Sequence, residues 1–113
     1  MRIEIAKQKF KITPKLKKHI ELRLRLALGR FAARIGVVAV KCGTGDLFGS
    51  VQEKRCHIEL TLHKQVSVEA ADANVFTAVD RAVDHAVRSV ARVLDQETGD
   101  AAGGRRLLVA PKI

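Results

Sequence analysis

The sequence predicts an α+β domain, a two-layer βαβββα sandwich whose four-stranded sheet carries both helices packed on one face. Three observations predict this fold class. A helix start signal stands at Thr13 and Pro14, strand-like segments fill most of residues 35–70, and an apolar stripe of helical period begins at Val75. A chain of 113 residues is long enough for one such domain and too short for two.

The N-terminal third predicts a strand followed by a helix. The segment RIEIA alternates apolar and polar residues, as a short strand does. Thr13 can cap the helix, and Pro14 suits its first position because the missing N–H costs nothing there. The stretch HIELRLRLALGRF also alternates, but a strand of that length directly after a helix cap is improbable. Counted at about 100° per residue from the cap, most of its apolar residues join one helical stripe. That stripe contains Leu16, Ile20, Leu24, Ala27, Leu28 and Phe31.

The middle of the chain predicts three strands of an antiparallel sheet with one solvated face. IGVVAVKC is a β-branched run, whereas KRCHIELTLH and QVSVEA alternate strictly. The predicted inward residues of these two strands are Cys56, Ile58, Leu60, Leu62, Val66, Val68 and Ala70. Between the first two strands, GTGDLFGS lacks the Lys-Ser/Thr of a phosphate-binding loop, so we expect a hairpin loop.

The last predicted helix begins after Asn74, a plausible cap. Its apolar face consists of Val75, Val79, Ala82, Val83, Ala86, Val90 and Val93. After Leu94 the glycine, alanine and proline content predicts a flexible tail. We therefore expect one domain over residues 1–94 and a C-terminal tail over residues 95–113.

The charge of the chain points to a polyanionic partner. The formal net charge is +9, and residues 2–34 hold eleven Lys or Arg against two acids. Nucleic acid is the expected partner of so basic a protein. No apolar run reaches the length of a membrane span, and the N-terminus lacks an apolar signal segment. We expect a cytoplasmic protein with no membrane partner.

Candidate catalytic and metal-ligating residues form no recognisable site. The possible metal ligands are Cys42, Cys56, His57 and His63, and their spacing matches no zinc site. No serine stands in the sequence setting of a catalytic nucleophile. We interpret the two cysteines as core residues, and whether they face each other stays open. Asp80 and Asp84 are expected on the exposed side of the last helix, paired with Arg81, Arg88 or His85. The sequence thus predicts no enzyme, no metal, no cofactor and no small-molecule substrate.

Two sets of basic residues predict an RNA-binding surface. One set is spaced 4, 3 and 4 along the last helix and forms a single ridge: Arg81, His85, Arg88 and Arg92. The other lies on the first helix, on the same side of the sheet: Lys15, Lys18, Arg23, Arg25 and Arg30. Neighbouring helices that both present bases repel each other unless an anion binds, so we favour RNA over a merely solvated surface.

The few aromatic residues refine this hypothesis. The chain has four Phe and no Trp or Tyr, which argues against a stacking platform for single strands. We expect phosphate contacts on a structured RNA that is recognised by its shape. Leu22 and Leu26 fall outside the apolar stripe. They are either single exposed leucines or a contact patch. The patch would bind another protein or a second copy of the chain, and a second copy would give a weak homodimer.

The element order and the segments KITPKLKKHIELRL and ANVFTAVDRAVDHAVRSVAR resemble the ribosome hibernation-promoting factor and ribosome-associated inhibitor family, also called sigma-54 modulation proteins. The resemblance covers about residues 1–94 and is to the short members. Arg23 falls on a basic family position of the first helix, whereas Leu26 stands where the family usually has lysine. In the last helix, the family's start motif is occupied by Asn74, Phe76, Ala78, Val79 and Asp80, of which Asn74 and Phe76 depart from the acid and the tyrosine that the family shows. The family's basic positions are occupied by His85, Arg88 and Arg92.

The resemblance implies a function as well as a fold. Members occupy the small-subunit channel where messenger and transfer RNA bind, and they silence idle ribosomes. We therefore expect a non-enzymatic, stress-type translation inhibitor that binds small-subunit ribosomal RNA. Two alternatives remain: a general structured-RNA-binding protein, and a protein-interaction module, such as a sigma-factor modulator, that uses Leu22 and Leu26.

Overall fold

A four-stranded sheet and two helices follow one another in the predicted βαβββα order. The computed structural model describes the backbone of residues 1–6, 12–47 and 51–102, and their side chains except those of 45–47, 51–52 and 97–102. The elements are β1 (Arg2–Ile5), α1 (Pro14–Leu28), a 3₁₀ helix (Gly29–Arg34), β2 (Val37–Leu47), β3 (Val51–Thr61), β4 (Gln65–Asp72) and α2 (Val75–Ala102).

The strands lie in the sheet in their chain order, β1-β2-β3-β4. β1 pairs with β2 in parallel, whereas β2 with β3 and β3 with β4 are antiparallel. Adjacent parallel strands need a crossover connection, which α1 and the 3₁₀ helix supply. The order of the strands thus places α1 against one face of the sheet.

One face of the sheet is apolar, and both helices cover it. The register places Val38 opposite Leu60, and Val40 opposite Ile58, so that these side chains share a face. They are buried together with most of the predicted stripe residues of both helices. From α1 these are Leu16, Ile20, Leu24 and Leu28, and from α2 they are Val79, Ala82, Val83, Ala86, Val90 and Val93. Ala78, outside the predicted stripe, is buried as well, whereas the predicted Ala27, Phe31 and Val75 are only partly buried. The predicted fold class is confirmed.

Both helices begin at the predicted caps. The Thr13 hydroxyl accepts a hydrogen bond from the Leu16 N–H at 3.1 Å. The Asn74 side-chain oxygen accepts bonds from the N–H groups of Phe76 at 2.8 Å and Thr77 at 3.4 Å. These bonds satisfy donors that the first turn of a helix leaves without partners. The helical interpretation of the leucine-rich stretch is therefore correct.

Two predicted boundaries are wrong. β2 continues to Leu47 instead of ending before the glycine-rich segment, so the hairpin is longer than expected; residues 48–50 lie outside the described residues. α2 continues past Leu94 to Ala102. Residues 95–102 include helix-favouring Gln, Glu and Ala, and the single glycine among them costs only about 1 kcal/mol. The rest of the predicted tail, residues 103–113, lies outside the described residues.

Cys42 and Cys56 face each other across β2 and β3. Both are free thiols in the core, and a hydrogen bond joins them. That bond and burial raise the pKa of the Cys56 thiol, and the same bond lowers the pKa of Cys42. The interpretation of the cysteines as core residues is confirmed, and the structure answers the question of their proximity.

Within residues 12–47 and 51–102, no helix has the length and apolar character needed to cross a membrane.

Candidate nucleic-acid interface

The helices α1 and α2 lie side by side and run in the same direction. His19 contacts both Phe76 and Asp80, and one turn further on Arg23 reaches Asp80 and Asp84. Since contacts advance along both helices together, the two N-terminal ends lie at the same end of the domain. The sides of α1 and α2 that point away from the sheet form one surface, which we call the helix face.

The α2 half of the helix face carries the predicted basic ridge. Its four residues, at positions 81, 85, 88 and 92, are all exposed. The Arg88 Nε donates a weak hydrogen bond to the backbone carbonyl of Asp84 at 3.4 Å. The acceptor is an uncharged carbonyl, so this bond does not neutralise the guanidinium. The ridge therefore presents a row of basic side chains, three of them arginines, to solvent, as its spacing predicts.

The α1 half of the helix face carries three exposed cations on α1 itself, Lys15, Lys18 and Arg25. The exposed Arg30, predicted on the same helix, lies instead in the 3₁₀ helix that follows α1. The Arg30 guanidinium lies over the Phe31 ring, 4.7 Å from its centroid, which fixes that side chain by a cation–π contact. Lys15 and Lys18 lie on the first turns of α1, near the start of α2. The predicted exposure of these residues is confirmed, and their contact with RNA stays a prediction.

Two carboxylates lie between the helices and neutralise part of this charge. Asp80 Oδ1 is 2.8 Å from His19 Nε2 and 3.1 Å from Arg23 Nε. Asp84 Oδ1 is 3.8 Å from Arg23 Nη2. The expectation that these acids pair with bases of their own helix is wrong, because their carboxylates reach across to α1. We call Asp80 and Asp84 the acidic pair.

The acidic pair changes the role of one predicted RNA-binding residue. Arg23 is half-buried between the helices, with its guanidinium directed at the two carboxylates. The other eight predicted basic residues are exposed. Arg23 therefore holds α1 to α2, and it is the predicted residue that the structure places least favourably for a phosphate.

A groove opens at the N-terminal ends of the two helices. Its volume is about 410 Å³, and its lining consists of Lys15, Lys18, His19, Leu22 and Phe76. The His19 and Phe76 rings meet edge to face, with centroids 5.1 Å apart. Sequence reasoning missed His19 and Phe76 as surface-site residues, since only the stagger of the two helices brings them together.

The two remaining predicted contact residues are exposed on α1. Leu22 is 57% exposed and Leu26 is 72% exposed, the large hydrophobic residues that stand out on the surface of the described chain. Leu22 lines the groove, whereas Leu26 lies one turn beyond it. Their predicted exposure is confirmed, and a contact through them stays a prediction.

The solvated face of the sheet has a different electrostatic character. There, basic and acidic side chains alternate and pair: Arg55 Nε is 3.4 Å from Glu53 Oε1, and His57 lies 3.8 Å from Glu59 and 3.9 Å from Glu69. Mutual pairing leaves little field for a polyanion. Among the described side chains, moreover, no group of three or more His, Cys, Asp or Glu could hold a metal ion.

The fold and this surface define a class of protein, a βαβββα sandwich with one cationic face built from two parallel helices. Comparison with known families places the chain more narrowly. Residues 3–98 match the model of the family described as Sigma 54 modulation protein / S30EA ribosomal protein, so the chain belongs to that family. The resemblance recognised in the sequence is confirmed.

Solved structures show the same fold. A ribosomal subunit interface protein from Coxiella burnetii superposes with a TM-score of 0.71 at 16% identity, covering 84% of this chain and 99% of that one. The Protein Y N-terminal domain from Thermus thermophilus superposes with a TM-score of 0.60 at 25% identity, covering 82% of this chain and 99% of that one. Among curated protein sequences, none matches this chain.

Proposed function

We propose that this chain is a ribosome-associated translation inhibitor of the hibernation type. It binds small-subunit ribosomal RNA in the channel for messenger and transfer RNA, and it silences idle ribosomes without catalysing a reaction. Its site of action is the cytoplasm. Membership of a family described by a ribosomal protein supports this proposal, as do the relatives named as a ribosomal subunit interface protein and Protein Y.

One observation carries the RNA part of the proposal: the contrast in charge between the two faces of the sandwich. The helix face and the 3₁₀ helix that follows α1 present eight exposed basic residues, including the ridge on α2. On the sheet face, Arg55 and His57 lie close to glutamates. A polyanion would therefore bind through the helices, and phosphate contacts would supply most of the affinity.

The experiment is co-sedimentation with purified small ribosomal subunits, followed by competition. We expect the protein to sediment with the subunits and to be displaced by messenger RNA together with transfer RNA. Cell-free translation should fall as the protein is added. Free structured RNA in excess serves as the control, because displacement by any such RNA would favour the general structured-RNA binder instead.

A second candidate function follows from the exposed leucines. Leu22 and Leu26 offer an apolar contact on α1, which suits a protein partner such as a sigma factor. Salt separates the two functions. Binding through six or more phosphates should weaken by about a thousandfold or more between about 50 and 200 mM salt, whereas an apolar protein contact should change little. A flat salt profile would favour the protein partner.

A further inference from the structure

The groove between the N-terminal ends of α1 and α2 combines two kinds of surface. The apolar and aromatic part of its lining comes from Leu22 and from the rings of His19 and Phe76, which meet edge to face. The basic part of its lining comes from Lys15 and Lys18, which are both exposed. A free phosphate would pair with the two lysines and leave the apolar part uncovered, so an occupant that matches the whole groove also has a flat apolar face.

We propose that this groove binds one unpaired nucleobase of the RNA, with the adjoining phosphates on Lys15 and Lys18. The proposal rests on the proposed RNA binding and adds a subsite to it. Unpaired bases of structured RNA stack on aromatic side chains, and every base has a π face. One ring pair provides one subsite, which agrees with the expectation from four Phe and no Trp or Tyr that the chain does not stack a long single strand.

The groove is organised before any ligand arrives. Asp80 holds the His19 ring through the 2.8 Å contact with Nε2, and Arg23 shares the same carboxylate oxygen. The Phe76 ring contacts the His19 ring edge to face at 5.1 Å, and the Asn74 side chain fixes the backbone of Phe76 by accepting a hydrogen bond from its N–H. Since both rings are already held, binding a base loses little side-chain freedom.

An acidic peptide with one apolar residue would fit the same charge pattern. The surroundings favour RNA, because the cations continue from the groove along both halves of the helix face, as a chain of phosphates requires. A peptide with one acidic segment would use only the groove. We therefore treat the peptide as an outcome of the test.

The test compares two oligoribonucleotides of about six nucleotides at about 50 mM salt. One carries 2-aminopurine at a central position, and the other is abasic at that position, so that their phosphates are the same. Affinity is measured by fluorescence anisotropy, and stacking by quenching of 2-aminopurine. The chain has no Trp or Tyr, so the protein adds little background fluorescence.

We expect the wild-type protein to bind the base-containing oligonucleotide more tightly than the abasic one, by about 5- to 150-fold. Phe76→Leu, which keeps an apolar side chain but removes the ring, should abolish this preference. Leu22→Ala provides a second variant whose folding is not in question, because Leu22 is 57% exposed. Leu26→Ala is the matched control, since Leu26 is exposed on the same helix but outside the groove.

Equal affinity for the two oligonucleotides would overturn the proposal, as would an equal effect of Leu22→Ala and Leu26→Ala. A third outcome would assign the groove to a protein partner. In that case the wild-type protein shows no preference for the base but binds an acidic peptide, and Phe76→Leu loses the peptide binding. Sedimentation with small subunits is measured separately. A protein that sediments but shows no base preference refutes the groove alone; one that prefers the base but does not sediment refutes the proposed function alone.

Discussion

Reversal of the basic ridge on α2 gives the most direct test of the helix face. The triple variant Arg81→Glu, Arg88→Glu and Arg92→Glu lowers the formal net charge from +9 by six charges to +3. The three residues are exposed, so the core stays intact. Each substitution should change stability by no more than about 0.5 kcal/mol, which thermal unfolding followed by circular dichroism can check.

The expected effect on binding follows from counterion release. Each phosphate contact contributes about 0.9 to the slope of log affinity against log salt. Six contacts predict a loss of about a thousandfold between about 50 and 200 mM salt, and three contacts predict a loss of only about 40-fold. The ridge variant should therefore bind small subunits far more weakly at low salt and show a slope shallower by about 2 to 3. Inhibition of cell-free translation should fall in parallel.

A matched control separates the ridge from net charge. Lys41→Glu, Arg55→Glu and Lys64→Glu change the charge by the same amount at exposed positions of the sheet face and of the β3–β4 turn. We expect this variant to bind small subunits almost as the wild type does, with an unchanged salt slope. Equal weakening by both triple variants, or a ridge variant that binds and inhibits normally, would refute the assignment of the site to α2.

Three further predictions concern the core, the thiol pair and the exposed leucines. Leu24→Ala should lower the free energy of unfolding by about 2–5 kcal/mol in denaturant titration, because Leu24 is fully buried; Leu26→Ala, at 72% exposure, should change it by no more than about 0.5 kcal/mol. The raised pKa of Cys56 means that the folded pair keeps a proton after unfolded thiols lose theirs near pH 8.5. Stability should therefore fall above about pH 9 by about 1.4 kcal/mol per pH unit, and the double variant Cys42→Ala, Cys56→Ala should lose this part of the slope; equal slopes in the two proteins would contradict the assignment. A self-contact through Leu22 and Leu26 predicts a concentration-dependent dimer in analytical ultracentrifugation. The double variant Leu22→Gln, Leu26→Gln should lose the dimer and keep its binding to small subunits, and a wild-type monomer at every concentration would exclude the self-contact.

Local sequence signals predicted the elements well because the responsible interactions are local. The caps at Thr13 and Asn74 act within three residues, and the apolar stripes reflect the period of each helix. The helix end was predicted eight residues too early, because the overall glycine, alanine and proline content after Leu94 was interpreted as a tail. The glycine pair Gly103 and Gly104, a typical stop signal, stands directly after Ala102 in the sequence and marks the end more closely.

The pairing of the cysteines needed a register that sequence patterns do not supply. Every cross-strand pair of β2 and β3, from Val38 and Leu60 to Leu47 and Val51, is centred on the same point of the hairpin. Once that centre is known, Cys42 must face Cys56. The glycine-rich segment left the centre of the turn ambiguous, so the sequence left the contact open.

The geometry of the candidate site could be predicted only in part for a similar reason. Spacing alone identified the ridge, because its members lie on one helix. The partners of Asp80 and Asp84 depend on how far α2 is shifted along α1, which is set by the packing of both helices on the sheet. Neither the groove nor the position of Arg23 could be predicted without that shift.

The acidic pair also resolves the electrostatic problem that two basic helices create. Their side chains retain about two-fifths to three-fifths of their exposure, so each ion pair is worth at most about 1 kcal/mol and is not a main source of stability. Its effect is local: negative charge lies between the cations of α1 and those of α2, and the helices can pack without a bound anion. Across the helix face the charge is positive, negative and positive again. A phosphate backbone bound there would follow the ridge or the outer side of α1, and it would avoid the line of Asp80 and Asp84 between them.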